Sequence, residues 1–439
     1  MKIAGLGAGA LALQNPAFAA APTKKTPNVI IIFADDMGYG DLGCYGHPTI
    51  QTPQLDQMAR DGVRFTSFYV AAPVCSPSRA ALLTGRYPVR CGMPGNTGPD
   101  SKAHLPESEV TIADLLKTQD YRTMAIGKWH LGHQRPDLFP MGRGFDAWYG
   151  LPYSNDMRKP FVQTDVPLNL YRNNEPIEHP VNQDTLTERY TEEAVKFIME
   201  QDDRPFFLYL AHSMPHLPVH TSEKFRGKSE SGLYGDVIQT MDWSTGQIRQ
   251  ALQEKGIEQD TLLIFTSDNG PWLDLPERML QEGNQPWHGG SPGPLRGSKG
   301  TTYEGGMRVP MIACWPGTLP AGKRSAQLAS TMDFLPTVAR LAGCDLPADR
   351  TIDGRDILPL LKGEEPSPHE YFYYFRGTRL QGVRHGDWKL RKESQDAETQ
   401  LFHLGRDPRE EYNVAQHHPD IVKSLTERME AFKNEVKQP

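Results

Sequence analysis

The chain of 439 residues is poor in cysteine and has no Cys-x-x-Cys spacing, which argues against a zinc site. Setting Cys75 aside, Cys44, Cys91, Cys314 and Cys344 allow three pairings in an oxidising compartment, with free buried thiols an equal alternative. Positive charge is not in excess either. A net charge of −7 makes nucleic acid an unexpected partner, and an anionic substrate must be drawn by a local cationic pocket. No apolar run is long enough to span a bilayer, so no transmembrane segment is expected. Internal repeats and low-complexity blocks are also missing. The remaining composition, 23% charged and 38% apolar, is that of a globular protein with ample core. The 37 prolines and 40 glycines spread along the chain suggest many structured loops.

The N-terminus reads Met1-Lys2, an apolar stretch over 3–13, then Asn15-Pro16-Ala17-Phe18-Ala19-Ala20. This is the pattern of a secretory signal over residues 1–19, cleaved after Ala19, and it predicts export to the periplasm or the exterior. A twin-arginine leader missing its first residues would also leave so short a basic region.

From Pro27 onward short apolar runs alternate with amphipathic stretches, as in α/β proteins. Strands are expected over 29–34, 64–70, 123–126, 206–211, 262–267 and 309–314. Helices are expected over 55–61, 111–118, 187–201, 237–255 and 333–342, the last with Thr331 as N-cap and Gly343 past its end. Near-continuous apolar strands such as Val29-Ile30-Ile31-Ile32-Phe33 suit a sheet covered on both faces. After about Asp353 the texture changes to aromatic and β-branched segments at 371–375, 382–384 and 388–390, the pattern of a smaller antiparallel sheet. A closing helix over 421–436 carries Leu425, Met429 and Phe432 on one face. Two units follow, residues 27–352 and a C-terminal subdomain, residues 353–439.

Asp35-Asp36 follows the first strand and Asp268-Asn269-Gly270 follows another. Ligands of open α/β sheets bind beyond the carboxyl ends of strands. Three carboxylates and an amide, with no histidine or thiolate intrinsic to the set, favour a hard cation such as calcium (Ca2+) or magnesium (Mg2+). Adjacent like charges at Asp35 and Asp36 would repel without one. Either string alone would pass for a turn.

In the run Cys75-Ser76-Pro77-Ser78-Arg79, closed by Thr84-Gly85 as a turn, the pattern Cys-x-Pro-Ser-Arg alone would arise by chance in about one chain per thousand of this length. Gly127-Lys128-Trp129-His130-Leu131-Gly132 follows the third strand, and Pro215-His216-Leu217-Pro218 the fourth. The run from Gly297 to Gly306, with Lys299, follows a Gly/Pro-rich loop. Together these strings resemble the sulfatase family across about Pro27 to Leu361. The likeness is nearest to its arylsulfatase A and N-acetylgalactosamine-6-sulfatase branch, including Leu151-Pro152-Tyr153-Ser154-Asn155-Asp156. That resemblance implies an α/β, alkaline-phosphatase-like sandwich: a large central, mostly parallel sheet plus a smaller C-terminal α+β subdomain with an antiparallel sheet.

It also implies site roles. Cys75 would be oxidised to formylglycine by a maturation enzyme, and its hydrated aldehyde would be the nucleophile. Asp35, Asp36, Asp268 and Asn269 would hold calcium together with an oxygen of modified Cys75. Arg79 would anchor the diol, Lys128 would bridge it to the sulfate, and His130 would take its proton. His216 and Lys299 would grip the sulfate and assist the leaving alcohol, and Ser154 would line the pocket. The implied substrate is a sulfated saccharide or an aryl sulfate ester. One departure bears on specificity: relatives of arylsulfatase A continue His-Asp-Gln after the serine, whereas here the chain reads Asn155-Asp156-Met157. Beyond residue 361 the likeness is confined to Gly386-Asp387-Trp388-Lys389-Leu390, shared with many bacterial sulfatases.

The chemistry explains the residue types. Fixed cations at the equatorial sulfate oxygens stabilise the transition state, and a diol nucleophile has a leaving step built into it, since loss of the second hydroxyl's proton expels sulfate. Each residue also has a plainer reading: solvated lysines for Lys128 and Lys299, packed or capping histidines for His130 and His216. His212 and His220 flank His216 and could shape the pocket, but read rather as capping or solvent-facing. Trp272 and the Trp287-His288-Gly289-Gly290 loop read as loop anchors or as platforms for a sugar ring. Two rival functions remain: a phosphonate or phosphate ester hydrolase that also uses formylglycine, and a non-catalytic carbohydrate-binding relative.

Overall fold

The run Val29-Ile30-Ile31-Ile32-Phe33 becomes the central strand of the molecule, and its side chains divide between two cores. The computed structural model describes Met1, residues 26–200 and residues 202–436. Apart from Met1, the expected leader over 1–19 lies outside the described residues. Val29, Ile31 and Phe33 enter one hydrophobic cluster, whereas Ile30, Ile32 and Ala34 enter the other. This is the two-residue period of a strand buried on both faces.

The strands in chain order are β1 Asn28–Ala34, β2 Val63–Tyr69, β3 Arg122–Gly127, β4 Ala147–Gly150, β5 Leu170–Arg172, β6 Glu175–Glu178 and β7 Phe206–Ala211. They continue with β8 Thr261–Ser267, β9 Arg308–Cys314, β10 Lys323–Ser325 and β11 Ala329–Ser330. Among the described residues they form one 11-stranded sheet in the order β10-β2-β9-β8-β1-β7-β3-β4-β5-β6, with β11 beside β2. The central block β8-β1-β7-β3-β4 is parallel throughout, whereas β9 runs antiparallel to both its neighbours. Helices 75–84, 112–117 and 334–342 cover one face through Leu82, Leu116 and Leu335. Helices 53–61, 186–199 and 232–255 cover the other through Leu55, Tyr190 and Met241.

The chain ends in four antiparallel strands, β12 Tyr371–Arg376, β13 Arg379–His385, β14 Trp388–Arg391 and β15 Gln400–His403. The helix Pro419–Val436 buries Leu425, Met429 and Phe432, and Phe432 stacks on Tyr373 at 3.6 Å. Phe372, Tyr374 and Val383 belong to the same cluster as Leu82 and Phe334, so the small sheet shares a core with the large one.

Two expectations are corrected. Thr331 is not the N-cap near 333: Ser330 caps a short 3-10 turn over Thr331–Asp333, its hydroxyl accepting from the Met332 N–H, and that turn runs into the helix Phe334–Ala342. The Cys75 segment is a ten-residue helix, Cys75–Thr84, rather than a turn. All five cysteines are free. Among the described residues no helix is long and apolar enough to cross a membrane.

Candidate active site

Adjacent parallel strands β8, β1, β7 and β3 end at one edge of the sheet, and the loops leaving them bring Asp268 and Asn269, Asp35 and Asp36, His216, and Lys128 and His130 to that edge. Each loop turns sharply. Gly127 has φ +97°, and a Cβ there would lie 1.8 Å from the Ala211 carbonyl oxygen, so only glycine lets β3 pass β7 before Lys128. Gly270 is equally confined, 1.7 Å from the Gly305 oxygen on the same construction, which seats the Asp268-Asn269 turn against the 297–306 loop. Asp36 (φ 66°) and His130 (φ 62°) occupy the left-handed region without being glycine, a strain of about 1–3 kcal/mol each that clusters at functional sites.

Cys75 is the first residue of its helix. Val74 at the N-cap makes no side-chain capping bond, and Asn96 Oδ1 accepts from the Ser76 N–H at 2.9 Å instead. The Cys75 sulfur lies 3.6 Å from Asp35 Oδ1 and 4.0 Å from Asp36 Oδ1. Burial pushes the thiol pKa up, and Asp268 and Asp35 add to this against the pull of Lys128 and Lys299. An unmodified Cys75 is therefore a protonated thiol and a poor nucleophile.

Two buried cations, Arg79 and Lys128, and the part-buried Lys299 face three buried carboxylates. Arg79, one turn after Cys75, donates through Nε and Nη2 to Asp268 Oδ2 at 3.1 and 2.7 Å and through Nη1 to the Lys128 carbonyl. Lys128 Nζ donates to both Asp35 oxygens and to Ser154 Oγ at 3.2 Å. Lys299 Nζ donates to Asp36 Oδ2 at 2.8 Å. Burial opposes ionisation of Asp35, but Lys128 and Arg79 outweigh it and hold this carboxyl well below the usual range. Asp268, buried and facing Asp35, is pushed up to about 7.

The two histidines differ in what each nitrogen faces. His130 Nε2 is 2.9 Å from the Thr97 carbonyl. That oxygen can only accept, so Nε2 carries the proton and Nδ1, buried without a partner among the described residues, presents a lone pair. Burial and then Lys128 lower the His130 pKa well below its ordinary value, which keeps the ring neutral. His216 Nδ1 lies 2.5 Å from the Leu217 carbonyl, leaving Nε2 3.4 Å from Ser154 Oγ and 3.5 Å from Asp36 Oδ2.

The predicted residues Asp35, Asp36, Cys75, Arg79, Lys128, Ser154, His216, Asp268, Asn269 and Lys299 are thus linked by direct contacts, and His130 faces Thr97 beside Lys128. His212 neither caps nor faces solvent: it is fully buried with Nε2 3.4 Å from Ser244 Oγ. His220 pairs with Asp184 at 2.8 Å. Trp272 lies over the Lys299 ammonium at 4.5 Å and beside the His216 ring, so it roofs the site. Trp287 is 72% exposed. Asn96 and Thr97 went unread in the sequence, since no motif marks a carbonyl or amide that acts from a distant loop.

The donor set fits a hard divalent cation. One oxygen each of Asp35 and Asp268 and the Cys75 sulfur lie within 4.8 Å of one another, as do Asp36, Cys75 and a His216 nitrogen. Asn269 donates to Asp36 Oδ1 at 2.7 Å, while its own Oδ1 is buried without a partner among the described residues. An orphaned buried acceptor among three carboxylates fits a hard divalent cation.

Comparison with known proteins agrees with this geometry. The sulfatase family model matches residues 27–344, and that of the N-sulphoglucosamine sulphohydrolase C-terminal region matches 298–435. Dog (Canis lupus familiaris) N-acetylgalactosamine-6-sulfatase is 40% identical over 92% of this chain and 85% of its own. Human arylsulfatase A is 40% identical over 91% and 86%. Among solved structures, that of Ps i-CgsB in complex with k-i-k-neocarrahexaose is 32% identical with a TM-score of 0.82, covering 94% of each chain. PsFucS1 sulfatase from Pseudoalteromonas sp. is 31% identical with a TM-score of 0.82, over 93% of this chain and 90% of that one. The chain belongs to the sulfatase family and is a sulfuric ester hydrolase.

Proposed function

We propose that the chain removes sulfate from a sulfated carbohydrate, with small aryl sulfates as surrogate substrates, through a formylglycine made from Cys75 beside a calcium or magnesium ion. The observation that carries this reading is the burial of Cys75 among Asp35, Asp36 and Asp268, where its thiol is too hard to ionise to serve as it stands. A formylglycine at position 75 would supply a hydroxyl nucleophile and a second hydroxyl whose deprotonation releases sulfate. A cation held by Asp35, Asp36, Asp268 and Asn269 would supply positive charge at the ester oxygens and ease ionisation of the attacking hydroxyl.

The chain's own groups do the rest. Lys128 and Lys299 hold the equatorial oxygens, where their charge counts most in a buried site. Arg79 favours the ionised form of Asp268 against its burial and anchors the diol. His130 Nδ1 takes the diol proton, and the Thr97 carbonyl holds it in the tautomer that can do so. His216 Nε2 and Ser154 line the sulfate pocket, and the proton for the leaving alcohol comes from Lys299 or from His216 in its doubly protonated form, since the neutral ring spends its N–H on the Leu217 carbonyl. Residues 27–352 form the catalytic portion and 353–439 a subdomain that completes it. The leader over 1–19 directs export to the periplasm or the exterior, and a formylglycine-generating enzyme matures the chain.

Mass spectrometry of the tryptic peptide spanning residues 65–79 tests the nucleophile: conversion lowers its mass by about 18 Da. An unmodified thiol in protein from a host carrying the maturation enzyme sinks the reading. Turnover of a nitrophenyl sulfate should exceed that of the matching phosphate diester, and desulfation of a panel of defined saccharides identifies the sugar.

A further inference from the structure

The Gly386-Asp387-Trp388-Lys389-Leu390 string has no part in the sulfate chemistry above, yet Lys389 is fully buried. Its ammonium lies 2.9 Å from Glu304 Oε1 and 2.8 Å from Glu410 Oε1 and donates to the Thr302 carbonyl at 2.9 Å. Glu410 Oε2 accepts from the Glu304 N–H at 2.7 Å, and Arg296 donates to the Glu410 carbonyl. Thr302 Oγ1 donates to Gln381 Oε1 at 2.9 Å and accepts from Arg391 Nε at 3.1 Å. The guanidinium groups of Arg391 and Arg296 lie over the Tyr303 ring at 3.8 and 4.1 Å. Residues 302–304 are therefore gripped by β13, β14 and the segment around Glu410.

This grip falls on the loop that carries Lys299, three residues before Thr302. The other side of that loop is tied to the reacting centre. The Lys299 N–H bonds the Pro271 carbonyl at 2.9 Å, just beyond Asn269, and the Gly300 N–H bonds the Pro73 carbonyl at 2.8 Å, just before Cys75. A buried ammonium between two carboxylates is weak evidence for stability, since apolar packing often serves that end as well. Its orientation dependence is better suited to fixing a geometry.

We infer that Lys389, held by Glu304 and Glu410, is a positioning residue that sets the 297–306 loop so that the Lys299 ammonium meets the sulfate. The inference rests on the proposed role of Lys299, and it makes the C-terminal sheet a working part of the active site.

A double-mutant cycle in the full chain tests it, with kcat on a nitrophenyl sulfate and the Kd of inorganic sulfate both measured. Lys299→Met should lower kcat roughly 100-fold. Lys389→Met should lower kcat by roughly 10- to 100-fold, the cost of a misplacement near 1 Å, and weaken sulfate binding in protein whose circular dichroism is unchanged. The double variant should be no worse than Lys299→Met, because both changes remove one interaction. If Lys389→Met does not fold, Thr302→Val takes its place in the cycle: it keeps the buried charges and loses only the bonds to Gln381 and Arg391. Effects that multiply in the double variant, or single variants at positions 389 and 302 with wild-type kcat, overturn the inference alone. A Lys299→Met enzyme as active as wild type overturns the role of Lys299 and the inference with it.

Discussion

Lys128 Nζ sits 2.6 and 2.9 Å from the two carboxylate oxygens of Asp35, with neither side chain exposed to solvent. Among the groups that lower the Asp35 pKa against its burial, Lys128 is the largest. In the proposed mechanism this one ammonium serves two ends: it keeps Asp35 charged and offers positive charge to the sulfate.

Replacing Lys128 by methionine should lower kcat/KM by roughly 100- to 1,000-fold, the usual loss for one buried charge-stabilising donor. The sign of the pH effect follows from the pair. Without Lys128 the Asp35 pKa rises, so activity that needs ionised Asp35 is lost at a higher pH than in the wild type. A pH–rate profile whose acid limb stays in place contradicts the pairing.

Cys75→Ala should abolish turnover while changing stability by no more than about 1–2 kcal/mol, because the side chain is small and its sulfur makes only long contacts, at 3.6 and 4.0 Å, to the Asp35 and Asp36 carboxylates. Urea unfolding and an aryl sulfate assay on the same sample separate the two. Near-wild-type activity would falsify the nucleophile assignment.

Calcium added to metal-stripped protein should raise the melting temperature, by linkage worth about 2.7 kcal/mol when the free ion is 100 times its Kd. Chelation should reverse the shift and remove activity. Asn269→Leu deletes the orphaned acceptor and should blunt both responses. A melting curve indifferent to calcium and magnesium in the parent protein would rule out the cage.

Burial lowers the His212 pKa from 6.5 to about 3. The folded state keeps this ring neutral while the unfolded state takes up a proton below about 6.5, so the group costs stability as pH falls from 6.5 towards 3. At pH 5 the cost is about 2 kcal/mol. The stability lost between pH 7.5 and pH 5 should be smaller by that amount in His212→Leu, measured by urea unfolding at both values. Equal losses in the two proteins refute it.

Much of the site could be read before any coordinates. Asp35, Asp36, Asp268 and Asn269 each follow a run such as Val29-Ile30-Ile31-Ile32-Phe33, and a strand buried on both faces must end where polar residues begin. The aromatic runs after residue 370 gave away the small sheet for the same reason, and Leu425, Met429 and Phe432 marked the covering helix by their spacing. The short edge strand Glu175–Glu178 escaped notice because most of it is exposed and its sequence carries no apolar alternation.

The helix at Cys75 was not legible, because its cap comes from Asn96 and not from its own N-terminal neighbours. The tautomer of His130 depends on a carbonyl 33 residues away, and the buried place of His212 on how the helix Gly232–Lys255 packs. Local order and chemical type are properties of a residue and its neighbours, so they can be read along the chain. Which carbonyl a ring faces, and which lysine meets which carboxylate inside the protein, depends on groups that come together only when the sheet closes and excludes water.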